Sequence, residues 1–338
     1  MDVKTAFLNG ELGEEVYVAK PQGFTDSGGS APRAWNKKLD GVLSSLGFER
    51  APSEHAVYTR QHGGKRLLLG VYVDDLIITG SCDMEITRFK EEMSSRFSMS
   101  DLGLPKLYLG IEVDQTPGVI TLKQSTFAKK LLEKSGMAGC NPAHVPIEPR
   151  LKLSTVSPNL PVDITMYRSI VGSLRYLVHT RPDISFAVVF VSRFMEAPTT
   201  EHLSAVKQIL RYIAGTLNFG CTYNACKDDA EPLIGFSDAD HAGDVDDRKS
   251  TTGSLFFYGR CPISWQSQKQ KSTALSSCQA EYMAASTTSC QQYSFARIPF
   301  SITVEFITAD QLADIFTKGL GRVKFQELRE RIGVIDIK

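Results

Sequence analysis

The seven cysteines (82, 140, 221, 226, 261, 278 and 290) include no Cys-x-x-Cys pair and are odd in number. Neither a paired disulfide framework nor a compact zinc site is expected, and reduced thiols in a cytosolic or nuclear setting are. No apolar run approaches the ~20 residues that cross a bilayer. The opening Met1-Asp2-Val3-Lys4 places charge where a signal peptide needs an apolar core, so the expectation is an intracellular protein without a membrane partner. Charge of one sign is also lacking: 38 Lys plus Arg balance 38 Asp plus Glu, and any nucleic-acid binding must come from local patches. No internal repeat is visible. What remains is 338 residues with 42% apolar and 22% charged side chains, the mix of a soluble globular chain long enough for two domains or more.

Patterning divides the chain. A turn is read at Asn9-Gly10, a short strand at Glu15–Val18, and a flexible connector over Thr25–Pro32. Trp35, Leu39, Val42, Leu43 and Leu46 recur at helical spacing up to Gly47. Leu67–Thr79 reads as two buried strands meeting at Asp74-Asp75, followed by a helix with Ile86, Phe89, Met93 and Phe97 on one stripe. Leu107–Val113 and Val119–Leu122 flank Thr116-Pro117-Gly118 as a hairpin, and Ser125 is expected to cap a basic helix ending at Gly136. The Pro-rich passage Asn141–Pro161 is the linker candidate. Helices are expected over Tyr167–His179, Asp183–Phe194 and Glu201–Ile213, then strands at Leu233–Phe236, Ser254–Tyr258 and Ile263–Trp265, then a helix over Ser276–Thr288.

Asp74 and Asp75 carry the sharpest signal. Adjacent carboxylates in an apolar strand pair repel, and desolvating an unpaired one costs several kcal/mol, on the order of 2–7 even for neutral polar groups. A divalent cation with hard oxygen ligands resolves that conflict; the bland alternative is a solvated Asp-Asp turn. A second acidic constellation lies in Lys227–Lys249, with net charge −5 and Asp238 and Asp240 at a strand end, Glu281 following on a helix. Its alternative is an acidic surface loop. A basic stretch over Thr121–Lys152, net +4, holds Lys123, Lys129, Lys130 and Lys134 and could track phosphates; a solvated helix face is the competing reading.

Tyr72-Val73-Asp74-Asp75 resembles the active-site loop of reverse transcriptases. Asp2-Val3-Lys4-Thr5-Ala6-Phe7-Leu8-Asn9-Gly10 is similar to the motif carrying the other metal-binding Asp in copia-type LTR retrotransposon Pol polyproteins. Pro21-Gln22-Gly23-Phe24, Ala31-Pro32-Arg33-Ala34-Trp35, Tyr108–Glu112 and Tyr167–Leu174 fit the same family in the same order. Ser276–Ala284, with Asp238 upstream in a β-β-β-α order, resembles the family's ribonuclease H module.

The resemblance implies an α+β fold: an incomplete reverse-transcriptase palm and thumb over 1–140 with the fingers missing, a linker and helical connection over 141–230, and a partial ribonuclease H-like domain with a C-terminal tail over 231–338. It implies RNA-directed DNA synthesis by two-metal nucleotidyl transfer, with Asp2, Asp74 and Asp75 holding Mg²⁺ (Mn²⁺ as the alternative ion) and Asp238 and Glu281 as metal-binding positions of the second module. An RNA template and DNA primer, or an RNA–DNA hybrid, and deoxynucleotides would be the partners.

Three departures from the family imply impairment. The family carries a fingers region and a strand before the position of Asp2. Ser27-Gly28-Gly29-Ser30 stands where the family reads roughly Leu-Tyr-Gly-Leu-Lys-Gln. From Lys249 to Thr308 the only acids are Glu281 and Glu305, so a third ribonuclease H ligand is missing; Asp310 and Asp314 belong to a tail motif and are no obvious substitutes. The expectation is a polymerase fragment with little catalysis and no ribonuclease H activity, the alternative a non-catalytic nucleic-acid-binding remnant.

Overall fold

The computed structural model describes residues 1–9, 32–52, 54–225, 233–295 and 311–337. The strand expected at Glu15–Val18, most of the connector, the Pro21–Phe24 word, Asp228, Asp229, Glu231, Ile302–Phe306 and Asp310 lie outside these residues. The chain forms two compact units, Met1–Leu104 and Pro105–Lys338.

The first unit runs β1 (Asp2–Val3), α1 (Pro32–Ser45), β2 (Glu49–Arg50), β3 (Val57–His62), β4 (Lys65–Tyr72), β5 (Asp75–Gly80), α2 (Asp83–Ser94) and β6 (Met99–Ser100). Its sheet has the order β2-β3-β4-β5-β1-β6, antiparallel at every pairing. Side chains alternate across a strand, so Leu67 and Leu69 of β4 turn into the core together with Leu76 of β5. The helical spacing of Trp35, Leu39 and Leu43 on α1, and of Phe89 and Met93 on α2, supplies the opposing apolar faces. Phe97 lies three residues beyond α2 yet is buried, its ring edge-on to Trp35 at 5.2 Å. The Trp35 indole N–H donates to the carbonyl oxygen of Val73 at 2.7 Å, tying α1 to the β4–β5 turn.

The second unit continues with β7 (Leu107–Tyr108), β8 (Ile111–Thr116), β9 (Val119–Lys123), α3 (Ser125–Lys134), α4 (Ile164–Leu177), α5 (Ser185–Ser192), α6 (Thr200–Ala214), β10 (Phe219–Asn224), β11 (Leu233–Ala239), β12 (Thr251–Tyr258), β13 (Cys261–Lys269), α7 (Ser277–Phe295), α8 (Arg322–Arg331) and β14 (Val334–Asp336). One sheet has the order β14-β10-β9-β8-β7, the other β11-β12-β13. The helices pack Leu131, Tyr167, Leu174, Val206, Ile209 and Ile213 into a single core. The mixed α and β architecture with antiparallel sheets agrees with the α+β expectation at that level.

Three local expectations are corrected. Leu107–Val113 is two strands: Leu109 and Gly110 both have positive φ, folding β7 back onto β8. A side chain at Gly110 would be strained by the positive φ and would press against the Tyr176 hydroxyl oxygen. Ser125 does not cap α3; the preceding Gln124 holds the cap position and the Ser125 hydroxyl has no partner among the described residues. The Pro-rich passage is no free linker, because Val145, Ile147 and Leu153 are buried in the core. Proline content marks only the absence of regular hydrogen bonding, not the absence of packing.

A buried ion pair anchors the helices of this unit. The Arg181 guanidinium donates to both oxygens of Asp183 at 2.9 and 2.8 Å and to the Thr216 carbonyl, and the Tyr212 hydroxyl donates to Asp183 at 2.6 Å. Asp183→Ala strands a buried guanidinium and is expected to lower the unfolding free energy by about 3–5 kcal/mol, read from urea denaturation. Trp35→Phe keeps the ring contact but removes the hydrogen bond to Val73; a loss of about 1–3 kcal/mol is expected, followed by circular dichroism.

Candidate active site

The turn joining β4 to β5 is two residues long: Tyr72 and Asp75 are paired, and Val73 and Asp74 form the loop. Val73 has φ of 56°, the left-handed region that two-residue hairpins demand at their first loop position and that a β-branched side chain resists. The Trp35 hydrogen bond holds that peptide in place.

Backbone hydrogen bonds fix Asp2 beside this turn. Val3 N–H donates to Asp74 O at 3.0 Å and Leu76 N–H to Met1 O at 2.8 Å, which sets Asp2 opposite Asp75. On the other side Asp2 pairs with Ser100. Met1 and Leu76 exchange hydrogen bonds in both directions, so the neighbouring Asp2–Asp75 pair is of the non-hydrogen-bonded kind, in which side chains approach most closely. Two residues directly opposite on antiparallel strands share a face. Asp2, Asp74 and Asp75 are all half-buried. Burial first, then the charges of Asp74 and Asp2, hold the Asp75 carboxyl above the usual carboxylate range.

Carboxylate oxygens set this close together suit a hard divalent cation in donor chemistry. Among the described residues, however, no three His, Cys, Asp or Glu side chains converge closely enough to hold a metal ion. Of the expected magnesium-holding trio, Asp2 and Asp75 share a register position and Asp74 stands in the adjoining turn.

The second acidic constellation resolves into two kinds of carboxylate. Asp244 is paired with Arg193 at 3.2 Å and Lys269 at 2.6 Å. Asp246 accepts from the Ser154 hydroxyl at 2.5 Å and from Thr155 N–H at 2.8 Å, which lowers its pKa. Against opposing desolvation, Lys269 and Lys249 draw Asp247 down to about 2. Asp240 accepts from the Thr251 N–H. The described acids of this loop are met largely by groups from elsewhere in the unit, among them Arg193, Lys269, Ser154 and Thr155.

Asp238, in contrast, is buried on β11 and faces Glu281 of α7 and residues of the tail. Its carboxyl accepts from the Thr317 hydroxyl, and the Lys318 ammonium lies 3.9 Å from Asp238 Oδ2 and 2.6 Å from Asp314 Oδ1. Burial raises both Asp238 and Glu281 above the ordinary carboxylate range, opposed by Thr317 and Lys318 at Asp238 and by the Ala239 backbone and Lys318 at Glu281. Sequence reasoning set Asp314 aside and gave Thr317 and Lys318 no role. The signal available was the four-residue spacing of Asp314 and Lys318, but its partners were remote in the chain.

The basic candidates also separate. Lys123 lies on β9 and its ammonium donates to the Ile337 carbonyl at 3.1 Å; Lys134 donates to the Ser169 hydroxyl at 3.1 Å. Lys129 and Lys130 are exposed on α3. No helix among the described residues is long and apolar enough to cross a membrane.

Comparison with known proteins places these features. Residues 1–149 match the family described as reverse transcriptase (RNA-dependent DNA polymerase). The chain is 36% identical over 399 aligned residues to the retrovirus-related Pol polyprotein from transposon RE1 of Arabidopsis thaliana, covering 99% of this chain and 27% of that protein. It is 39% identical to the retrovirus-related Pol polyprotein from transposon TNT 1-94 of Nicotiana tabacum, over 85% of this chain and 23% of the relative. The putative transposon Ty5-1 protein of Saccharomyces cerevisiae is 34% identical over 85% of this chain and 99% of its own length. The chain therefore spans about a quarter of the Pol polyproteins it matches. With a reverse-transcriptase match over the unit that holds Asp2, Asp74 and Asp75, and full-length coverage of a transposon protein, the chain belongs to the copia-type retrotransposon Pol family and carries its reverse transcriptase domain.

Proposed function

We propose that this chain is an RNA-directed DNA polymerase fragment of a copia-type element in which nucleotidyl transfer is impaired. The observation that carries the reading is the register that sets Asp2 opposite Asp75, next to the Tyr72–Asp75 turn. Asp2, Asp74 and Asp75 would hold Mg²⁺, or Mn²⁺ in its place; when bound, such ions activate a primer hydroxyl and stabilise a leaving pyrophosphate. The protein's own part is positional. Backbone pairing holds Asp2 and Asp75 on one face, and Val73 and Trp35 present Asp74 beside them.

Impairment rests on what lies within the chain. Ser27-Gly28-Gly29-Ser30 replaces a segment that the family uses beside template and nucleotide. The palm-and-thumb division over 1–140, the connection over 141–230 and the ribonuclease H-like remnant over 231–338 belong to this reading. Asp238 and Glu281 fit a divalent ion poorly, since Lys318 already shares their neighbourhood, so no ribonuclease step is assigned to them. A second reading, binding without catalysis, is favoured by the exposed Lys129 and Lys130 on α3, which can neutralise the phosphates of an RNA–DNA duplex.

Primer extension on an RNA template with deoxynucleotides and Mg²⁺ or Mn²⁺ tests the first reading. Incorporation should fall far below that of an intact family polymerase, with any residue abolished by Asp74→Asn; robust synthesis sensitive to Asp74→Asn would refute impairment. For binding, reversing both Lys129 and Lys130 to Glu should weaken RNA–DNA duplex affinity and reduce the slope of log affinity against log salt by about 2. An unchanged slope would remove α3 from the interface.

A further inference from the structure

We propose that Lys318 is a built-in counter-ion of the Asp238–Glu281–Asp314 cluster, its ammonium taking the place a divalent cation would need, so that the tail straps this site shut against metal. The inference is independent of the polymerase reading, because every group involved lies in the second unit.

The geometry comes first. The ammonium is 2.6 Å from Asp314 Oδ1 and 3.9 Å from Asp238 Oδ2, and the neighbouring Thr317 hydroxyl donates to the same Asp238 oxygen. Two consecutive tail residues therefore serve one buried carboxylate. A hard cation approaching Asp238 would have to displace both a hydroxyl and a like charge.

The tail's position does not depend on that ion pair. Ala313 and Phe316 are fully buried in the unit's core. Gly253 on β12 is what lets them in: a Cβ there would lie 2.8 Å from the Ala313 carbonyl oxygen and 2.8 Å from Phe316 Cβ. The Gln311 amide donates to the Ser237 carbonyl at 2.5 Å, beside Asp238. Apolar burial and backbone contact thus deliver Lys318 to the carboxylates, and the ammonium is held there at modest loss of side-chain freedom.

The sequence supplies no competing ligand. Between Lys249 and Thr308 the acids are Glu281 and Glu305 alone, so no further Asp reaches the cluster from that stretch. One resident ammonium offsets one of these three carboxylate charges, and its contacts run to Asp314 and Asp238.

The test uses the full chain with Asp74→Asn and Asp75→Asn as the parent, which silences the other acidic pair, and Mn²⁺ followed by electron paramagnetic resonance. The parent should bind no Mn²⁺ that depends on Asp238. Lys318→Met should gain about one ion per chain, lost again on adding Asp238→Asn, and Lys318→Arg should behave as the parent. Mn²⁺ binding by the parent that Asp238→Asn abolishes would overturn the proposal, as would a folded Lys318→Met variant that binds none. If Lys318→Met and Lys318→Gln both fail to fold, recovery of folding by Lys318→Arg supports a required internal cation, and failure of Lys318→Arg as well overturns it.

Discussion

The pairing of β1 between β5 and β6 is the constraint on which the first unit's chemistry depends. Two residues of strand, held by backbone hydrogen bonds on both edges, oppose the repulsion between Asp2 and Asp75. Each such bond contributes about 1 kcal/mol, and the carboxylates are only half-buried, so the register withstands a charge arrangement that side chains alone would avoid. Burial first, and then the charges of Asp74 and Asp2, keep the Asp75 carboxyl above the usual carboxylate range. The sheet, in turn, is possible because α1 and α2 cover its apolar face with Trp35, Leu39, Phe89 and Met93.

The second unit manages negative charge differently. In its acidic loop Asp244 pairs with Arg193 and Lys269, and Asp247 with Lys249 and Lys269. At Asp238 the neutralising groups arrive from a segment about 80 positions away, through Thr317 and Lys318. One unit concentrates carboxylates at a strand register, the other disperses their charge into local pairs.

Much of this was legible in the residues. The period of Trp35, Leu39 and Leu43 marks α1, and the apolar arms around Asp74-Asp75 mark the β4–β5 hairpin, because both are local patterns with a single geometric solution. The pairing of Asp2 with Asp75 was reachable only through family resemblance, since no local rule joins positions so far apart. The break at Leu109-Gly110 was missed because an apolar run hides a positive φ, and the packing of Val145, Ile147 and Leu153 because composition says nothing about burial. The loop's net charge of −5 is plain in the residues, whereas the pairing of Asp244 with Arg193 and Lys269 depends on tertiary contacts.

Val73 carries a consequence of its own. Valine favours extended backbone over this left-handed conformation, so the turn persists because the flanking strands and the Trp35 indole hold the peptide preceding Asp74 in place. Glycine in its place would relieve that strain while leaving the backbone carbonyl that the indole grips and the pairing that holds Asp2 and Asp75. The shape of this turn is thus imposed by its surroundings and not chosen by its own residue.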